Sequence, residues 1–475
     1  MKSLITRPLG LYGWDRLEPV LLAALLSEEP LLLVGPHGCA KSFVLERLAE
    51  SLGLAFRCYN ASLLNYDDLV GIPMPNADRT ALDYIKSSEC IWDAEVVFID
   101  EINRTRPDLQ NKIFPIIHER RVQGRDLKKL RYRWAAMNPP PSDDEELDGD
   151  ALYLGAERLD AALADRFPFI VSVPAWDDLE TDDKLSVLMD QFEGRHEFPV
   201  AIGELVADAK LEYDRLVQSA ASTSARYTMM LVTVLRTAKY DVSTRRATML
   251  QRTLLAIHAA RIVLARHARD GEAPTLLSSA QLAVRTTLPD RARRQMSDTQ
   301  LVALCNRAWE LAAIPDDDES KCLLLEPDPV RRLEMMTALK INLPAKDCAA
   351  IVCEGVAAAK EPLRRGLALA SFLALRDRQN LPASAVEILA KEIEPAITPS
   401  KREERVPLKQ GRMAGDVSAI RFAMAKDPFA IARPDFLRCH DDLLNSFLPD
   451  GYASSEEAAE LSRNFLRLWR LFDLK

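Results

Sequence analysis

The sequence predicts an α/β core with a central parallel sheet flanked by helices, followed by an all-α lid and an all-α C-terminal domain. Three observations carry this. An apolar run, Leu31-Leu32-Leu33-Val34, enters the turn Gly35-Pro36-His37-Gly38-Cys39-Ala40-Lys41-Ser42, and a helix-like run from Phe43 to Ala49 leaves it. A second apolar run, Val96-Val97-Phe98-Ile99, ends in two carboxylates, Asp100-Glu101. A buried parallel strand delivers acidic groups in this way to the carboxyl edge of a sheet, where α/β folds bind ligands. After Pro174 the strand signals stop, and the remainder reads as helix. The 475 residues are too many for one core. The expected division is a core over 1–175, a helical lid over 176–275 and a helical accessory domain over 276–475. Paired helices near 347–360 and 362–376 make that last part solenoid-like, although no fixed repeat period is present.

Composition excludes several classes. With 48% hydrophobic and 28% charged residues, wholesale disorder is ruled out. Few glycines and 7% aromatics favour helix over an all-β protein. A net charge of −9 disfavours a general nucleic-acid coat. The longest apolar stretches, such as Pro19 to Leu26, are far too short to span a bilayer, and Met1 to Pro8 lacks a signal-type apolar region. A cytoplasmic location is the expectation. The cysteines at 39, 58, 90, 305, 322, 348, 353 and 439 have no C-x-x-C spacing and read as reduced thiols.

The first turn has the chemistry of a phosphate cradle. Glycines let backbone N–H groups converge on phosphate oxygens, Lys41 meets the outer phosphates, and the Ser42 hydroxyl suits Mg²⁺. Ala40 stands where the usual pattern has its last glycine. At the second strand end, Asp100 suits Mg²⁺ through water, and Glu101 suits polarising an attacking water.

Other elements come in order. Asp15 to Glu29 reads as an amphipathic helix, Ala55 to Asn60 as a strand, and 61–89 as a short helix with an irregular insertion. Pro107 to Arg120 reads as a helix. The basic stretch Arg120 to Arg133 reads as a hairpin, either solvated or gripping a polyanion or an acidic substrate. Arg133 to Met137 is a strand ending at Asn138-Pro139, where a polar side chain can reach water or the γ-phosphate. The acidic run 142–150 lacks calcium-loop spacing and reads as a solvated loop. Leu159 to Phe167 is a short helix ending in Arg166, and Phe169 to Val173 is a strand. Ser222-Thr223-Ser224-Ala225-Arg226 reads as a capped helix start, with Arg226 in the first turn. A cation there opposes the helix dipole and suggests an anion nearby. Ser455 to Leu474 presents an apolar face for docking on its own domain or on a partner.

In this order the parts resemble the AAA+ ATPases, and within them the MoxR family with its helix-2 insertion, over about residues 10–270. Gly35 to Ser42 resembles that family's Walker A, in which alanine commonly replaces the last glycine. Phe98-Ile99-Asp100-Glu101-Ile102-Asn103-Arg104 resembles its Walker B. The resemblance implies roles for further residues. Asn60 switches Glu101, Asn138 is sensor 1, and Arg166 reaches the neighbouring subunit's γ-phosphate, with Arg158 as the alternative. Arg226 is sensor 2. The helix-2 insertion falls in 61–93 and the hairpin before sensor 1 in 120–131. Gly35, Pro36, His37, Gly38, Cys39, Ala40, Lys41, Ser42 and Asn60 line the nucleotide, and Ser42 and Asp100 serve the metal.

The implied cofactors are ATP and Mg²⁺. The implied assembly is a ring, typically a hexamer, that remodels a protein partner in a chaperone-like role, with a von Willebrand A-type protein as the partner class. Two further readings stay open. One is a nucleic-acid-stimulated motor with the 120–133 hairpin in its pore. The other is a scaffold whose assembly ATP fixes, against which the Asp100-Glu101 pair argues.

Overall fold

The computed structural model describes residues 3–80, 82–85, 87–122, 124–139, 159–193, 200–269, 273–288, 296–341, 343–360, 363–375, 382–397, 412–447 and 455–474. The acidic run 142–150 and Arg158 lie outside these. The chain forms two compact units, Met1–Ala313 and Ile314–Lys475.

The first unit is built on five parallel strands. They are β1 (Leu31–Val34), β2 (Phe56–Asn60), β5 (Val96–Asp100), β8 (Tyr132–Met137) and β9 (Phe169–Ser172), in the order β2-β5-β8-β1-β9. Apart from the edge strand β2, their side chains are largely buried, as strands covered on both faces require. Register sets which strand ends meet. Val34 lies opposite Met137 and Ser172, and Asn60 lies opposite Asp100. The loop after β1, the carboxylates after β5, Asn138 after β8 and Asn60 on β2 therefore share one edge.

Helices α1 (Glu18–Ser27), α2 (Lys41–Ser51), α3 (Tyr66–Val70), α4 (Pro107–Glu119) and α5 (Ala161–Ala164) belong to this core. The short ribbons β3 (Ile72–Pro75) with β4 (Leu82–Ile85), and β6 (Arg121–Val122) with β7 (Arg125–Asp126), are antiparallel. The first ribbon falls where an irregular insertion was expected. Pro73 and Pro75 argue against a strand in general, yet a ribbon of only two strands leaves one edge where proline's missing N–H costs nothing.

The N-terminal region also differs. α1 is buried from Glu18 through Leu26, so it is not amphipathic. Glu18 is fully buried, and its carboxylate accepts from the backbone N–H of Leu4, Ile5 and Thr6 and from the Thr6 hydroxyl at 2.8–3.2 Å. A buried carboxylate is tolerable only when so satisfied, and this one folds the first residues onto α1.

The helical layer comprises α6 (Thr181–Glu193), α7 (Ile202–Thr237), α8 (Thr244–Ala268), α9 (Leu276–Thr287) and α10 (Asp298–Ala313). α8 packs on α7, α9 and α1, and α10 packs on α7 and α9. Tyr227 of α7 is buried, with its ring centroid 5.3 Å from that of Trp309 on α10. The boundary expected at residue 276 therefore lies at 314: α9 and α10 complete the burial of α7 and α8.

The second unit contains α11 (Glu319–Leu325), α12 (Pro329–Leu339), α13 (Ala345–Ala358), α14 (Leu363–Leu375), α15 (Ala383–Ile397), α16 (Arg412–Met424), α17 (Pro428–Ile431), α18 (Pro434–Phe447) and α19 (Ser455–Leu471). α19 returns to pack on α12, α14, α16 and α18. In a solenoid each repeat touches only its neighbours in sequence, so this closure replaces the solenoid-like expectation with a bundle. The apolar face of 455–474 drives it: Phe465, Leu468, Trp469 and Phe472 are buried in this unit's own core.

His440 sits in that core, with its ring centroid 5.7 Å from that of Phe436 and its Nε2 2.9 Å from Ser462 Oγ. Burial first, and Arg421 second, push its pKa from 6.5 down to about 4. Folding therefore keeps this imidazole neutral. The associated stability is present above pH 6.5 and is lost as pH falls from 6.5 toward 4. Urea unfolding of the full chain should show the second unit losing up to about 3 kcal/mol across that window. A His440→Leu chain should lack this part of the slope; equal slopes in the two chains would refute the assignment.

Candidate active site

The loop after β1 is shaped by close packing and by backbone sign. A Cβ on Gly35 would lie 2.4 Å from Val173 Cγ2, so only glycine passes between β1 and the end of β9. Gly38 has φ +78°, and Ala40, the residue that caps α2, has φ +57°. The usual glycine at position 40 thus reflects a left-handed conformation, and alanine holds it at a cost of about 1–2 kcal/mol.

Lys41 opens α2 and turns back into the loop. Only 8% exposed, its ammonium donates to the carbonyls of Gly35 (2.8 Å) and Pro36 (2.7 Å) and to Asn138 Oδ1 (3.3 Å). Burial pulls its pKa down, opposed by Cys39, Asp100 and Glu101. Asn138, itself 2% exposed, turns its amide nitrogen to His37 Nε2 at 3.0 Å. His37 thus serves as the acceptor that orients Asn138, a role its place in the loop did not disclose. Cys39 is half-buried, and burial raises its pKa while Lys41 lowers it.

Across the cleft, Ser42 Oγ donates to Asp100 Oδ2 at 3.0 Å. Hard oxygen donors at this spacing fit Mg²⁺, which binds through one or two protein oxygens and keeps several waters. Glu101 has φ +52°. Its Oε2 lies 3.5 Å from Asn60 Nδ2, at the limit of a hydrogen bond, and its Oε1 lies 3.8 Å from Arg104 Nε. Asn60 Oδ1 is held by the N–H and hydroxyl of Ser62 at 2.9 and 2.6 Å. The cleft has a volume of about 290 Å³ and is lined by His37 to Phe43, Asn60, Asp100, Glu101 and Asn138. Of the residues picked out from sequence, the structure brings together the loop, both carboxylates, Asn60 and Asn138.

Two arginines stand elsewhere. Arg166 lies 4.4 Å above the Phe114 ring of α4 and donates to Ala162 O. It does not line the cleft of its own chain. Arg226 does not line it either, and the helix start assigned to Ser222–Arg226 is not there: α7 runs unbroken from Ile202 to Thr237. The serines are accommodated within the helix, Ser224 Oγ donating back to Ala221 O at 3.0 Å. The capped start is Ser243, whose hydroxyl accepts from Arg246 N, followed by Arg245 and Arg246 in the first turn of α8. Both arginines pair with Asp165, at 3.7 and 3.3 Å, next to Arg166. The pattern expected at Ser222–Arg226, a hydroxyl cap with cations in the first turn facing an anion, is thus realised at Ser243-Thr244-Arg245-Arg246.

The basic stretch is largely spent on internal pairs. Arg121 pairs with Asp126 (2.6 Å), Lys129 with Asp93 (2.8 Å), and Arg131 with Glu28 (3.0 Å), while Arg133 is buried against backbone carbonyls. That weakens the case for a polyanion grip. Among the described residues no helix is long and apolar enough to cross a membrane, and all eight cysteines are free.

Residues 30–167 match the AAA domain of the dynein-related subfamily, a stretch that takes in four of the five sheet strands, the cleft and Arg166. The chain is also similar to a crystal structure from Cytophaga hutchinsonii described as a “putative ATPase”. The identity is 18% and the TM-score 0.45, over 64% of this chain and 92% of that one. A likeness at that level says nothing by itself about chemistry. The residues that line the cleft, His37 to Asn138, all lie within the stretch that matches this AAA domain.

Lys41→Ala removes the cleft's buried cation and should abolish ATP binding in a fluorescent-nucleotide titration. Unchanged affinity in a folded Lys41→Ala chain would defeat the phosphate-loop assignment.

Proposed function

We propose that this chain is a Mg²⁺-dependent ATPase of the MoxR type that works as a ring, of six subunits in keeping with that resemblance, and remodels a protein partner. The observation that carries the reading is the split between the two sets of charged groups. Lys41, Ser42, Asp100, Glu101 and Asn138 share one cleft, whereas Arg166 and Arg245 stand together outside it.

The groups in the cleft divide the work. Backbone N–H groups of 37–42 and the Lys41 ammonium bind the β- and γ-phosphates. To do so Lys41 exchanges its carbonyl acceptors for anionic oxygens, which bind it more strongly. Ser42, and Asp100 through water, would hold Mg²⁺, which would neutralise negative charge on the phosphates. Glu101 takes up the attacking water and draws its proton, once Asn60 and Arg104 release the carboxylate. Asn138, oriented by His37, steadies the water or the γ-phosphate.

Negative charge spreading over the transferred phosphoryl group still needs a cation opposite the loop. An arginine supplied by a neighbour typically contributes about 10³–10⁵ in rate. Arg166 fits that role, with Arg245 beside it. A closed ring gives each cleft such a neighbour. Hydrolysis would then alter the relation of the helical layer to the core, a two-state motion able to do work on a partner. A protein substrate, with a von Willebrand A-type protein as one class, is favoured over nucleic acid because much of the basic stretch is paired internally. A cytoplasmic location accords with this reading.

Arg166→Ala and Glu101→Gln chains should each bind ATP and turn it over very slowly. Mixed, they should regain activity, because an Arg166→Ala cleft then meets an intact Arg166. Roughly a quarter of the interfaces in a random equal mixture are productive in this sense. Steady-state phosphate release measures it; no recovery on mixing, with association confirmed by light scattering, would remove Arg166 from the neighbour's site.

A further inference from the structure

The segment that carries Arg166 is held from both sides by one buried side chain. Arg246 is 1% exposed. Its Nη1 donates to Phe167 O and to Thr287 O, both at 2.7 Å. Its Nη2 donates to Ala164 O at 3.0 Å, and its Nε to Asp165 Oδ1 at 3.3 Å. Three of these four acceptors lie on residues 164, 165 and 167, which bracket Arg166 in sequence. The fourth closes α9. The same Asp165 receives the Ser243 hydroxyl at 3.4 Å and Arg245 at 3.7 Å.

The carbonyls of Phe167 and Thr287 call for a donor here, but an arginine is a costly one. A buried guanidinium costs desolvation, and a cation in the first turn of a helix opposes the dipole. An apolar side chain of similar length would avoid both costs but would leave these acceptors without their donor. What the guanidinium adds is direction: its planar fork fixes several acceptors at set angles. It fixes the backbone on both sides of Arg166 to the first turn of α8 and the last turn of α9.

We propose that Arg246 is a positioning residue that couples the α8–α9 layer to the Arg166 segment, so that the arginine delivered to a neighbouring subunit is aimed by the helical layer of the subunit that supplies it. This rests on the reading in which Arg166 acts in the neighbour's cleft. Information would then pass from the nucleotide-dependent position of one subunit's helices to the next subunit's hydrolysis, with no contact between Arg246 and any nucleotide.

The test uses the full chain. Arg246→Met should keep ATP affinity within about twofold, because the loop and carboxylates are untouched, and lower kcat by about 10²-fold, the cost of misplacing a reacting group by about 1 Å. Mixing Arg246→Met with Glu101→Gln should restore turnover, since the Arg246→Met cleft then receives a correctly held Arg166. If Arg246→Met no longer binds ATP and so has lost its fold, Asp165→Asn, which removes the ion pair while leaving the backbone bonds, takes its place in the same mixing experiment. A kcat within about twofold of the parent overturns the proposal. So does a loss that mixing does not restore while the Arg166→Ala loss is restored. If Arg166→Ala is itself not restored, the trans-arginine reading fails first, and the coupling with it.

Discussion

The cleft depends on the buried ammonium of Lys41. An ammonium taken out of water needs acceptors for its three protons, or burial drives the proton off. Gly35 O, Pro36 O and Asn138 Oδ1 supply them. Those bonds tie the exit of β1, the start of α2 and the end of β8 to one point. They hold only because the loop turns tightly, with Gly35 pressed on Val173 and Ala40 in a left-handed conformation. An incoming triphosphate offers the same cation better acceptors without moving the surrounding strands. The site is in this sense pre-formed, and binding energy is not spent on assembling it.

A second constraint is spatial separation. Lys41, Ser42, Asp100, Glu101 and Asn138 converge at the carboxyl edge of the sheet, as strand register demands. Arg166, Arg245 and the buried Arg246 gather around Asp165 instead. His118 on α4, whose pKa is lowered by burial and by Arg245 and Arg166, belongs to the same basic neighbourhood. Under the proposed function, keeping the cleft and this group of cations on separate surfaces means that the chemistry is completed by association. The helical layer is fixed to the second of these surfaces through Arg246.

Sequence made the parallel sheet and most of the cleft legible because each strand ends in the residues it delivers. Leu31–Val34 leads into the loop, Val96–Ile99 into Asp100-Glu101, and Tyr132–Met137 into Asn138. What sequence hid was tertiary. Glu18 has the look of a polar residue on an amphipathic helix, yet it is the buried acceptor that folds the N-terminus. His37 has the look of an intruder in the loop, yet it orients Asn138, a residue about a hundred positions away in sequence. The serines of 222–224 signal a helix start as strongly as Ser243 does, and only the packing of α7 along its length tells them apart. Pairing helices by adjacency suggests a solenoid, because the return of α19 is a long-range contact that periodicity cannot show.

The central claim is that one chain does not hold a complete active site. ATPase activity per chain, measured against protein concentration with association followed in parallel by light scattering, tests it most directly. Activity per chain should be negligible where subunits are dissociated and rise to a plateau as association completes. The same activity per chain in the dissociated state as in the assembly would contradict the account.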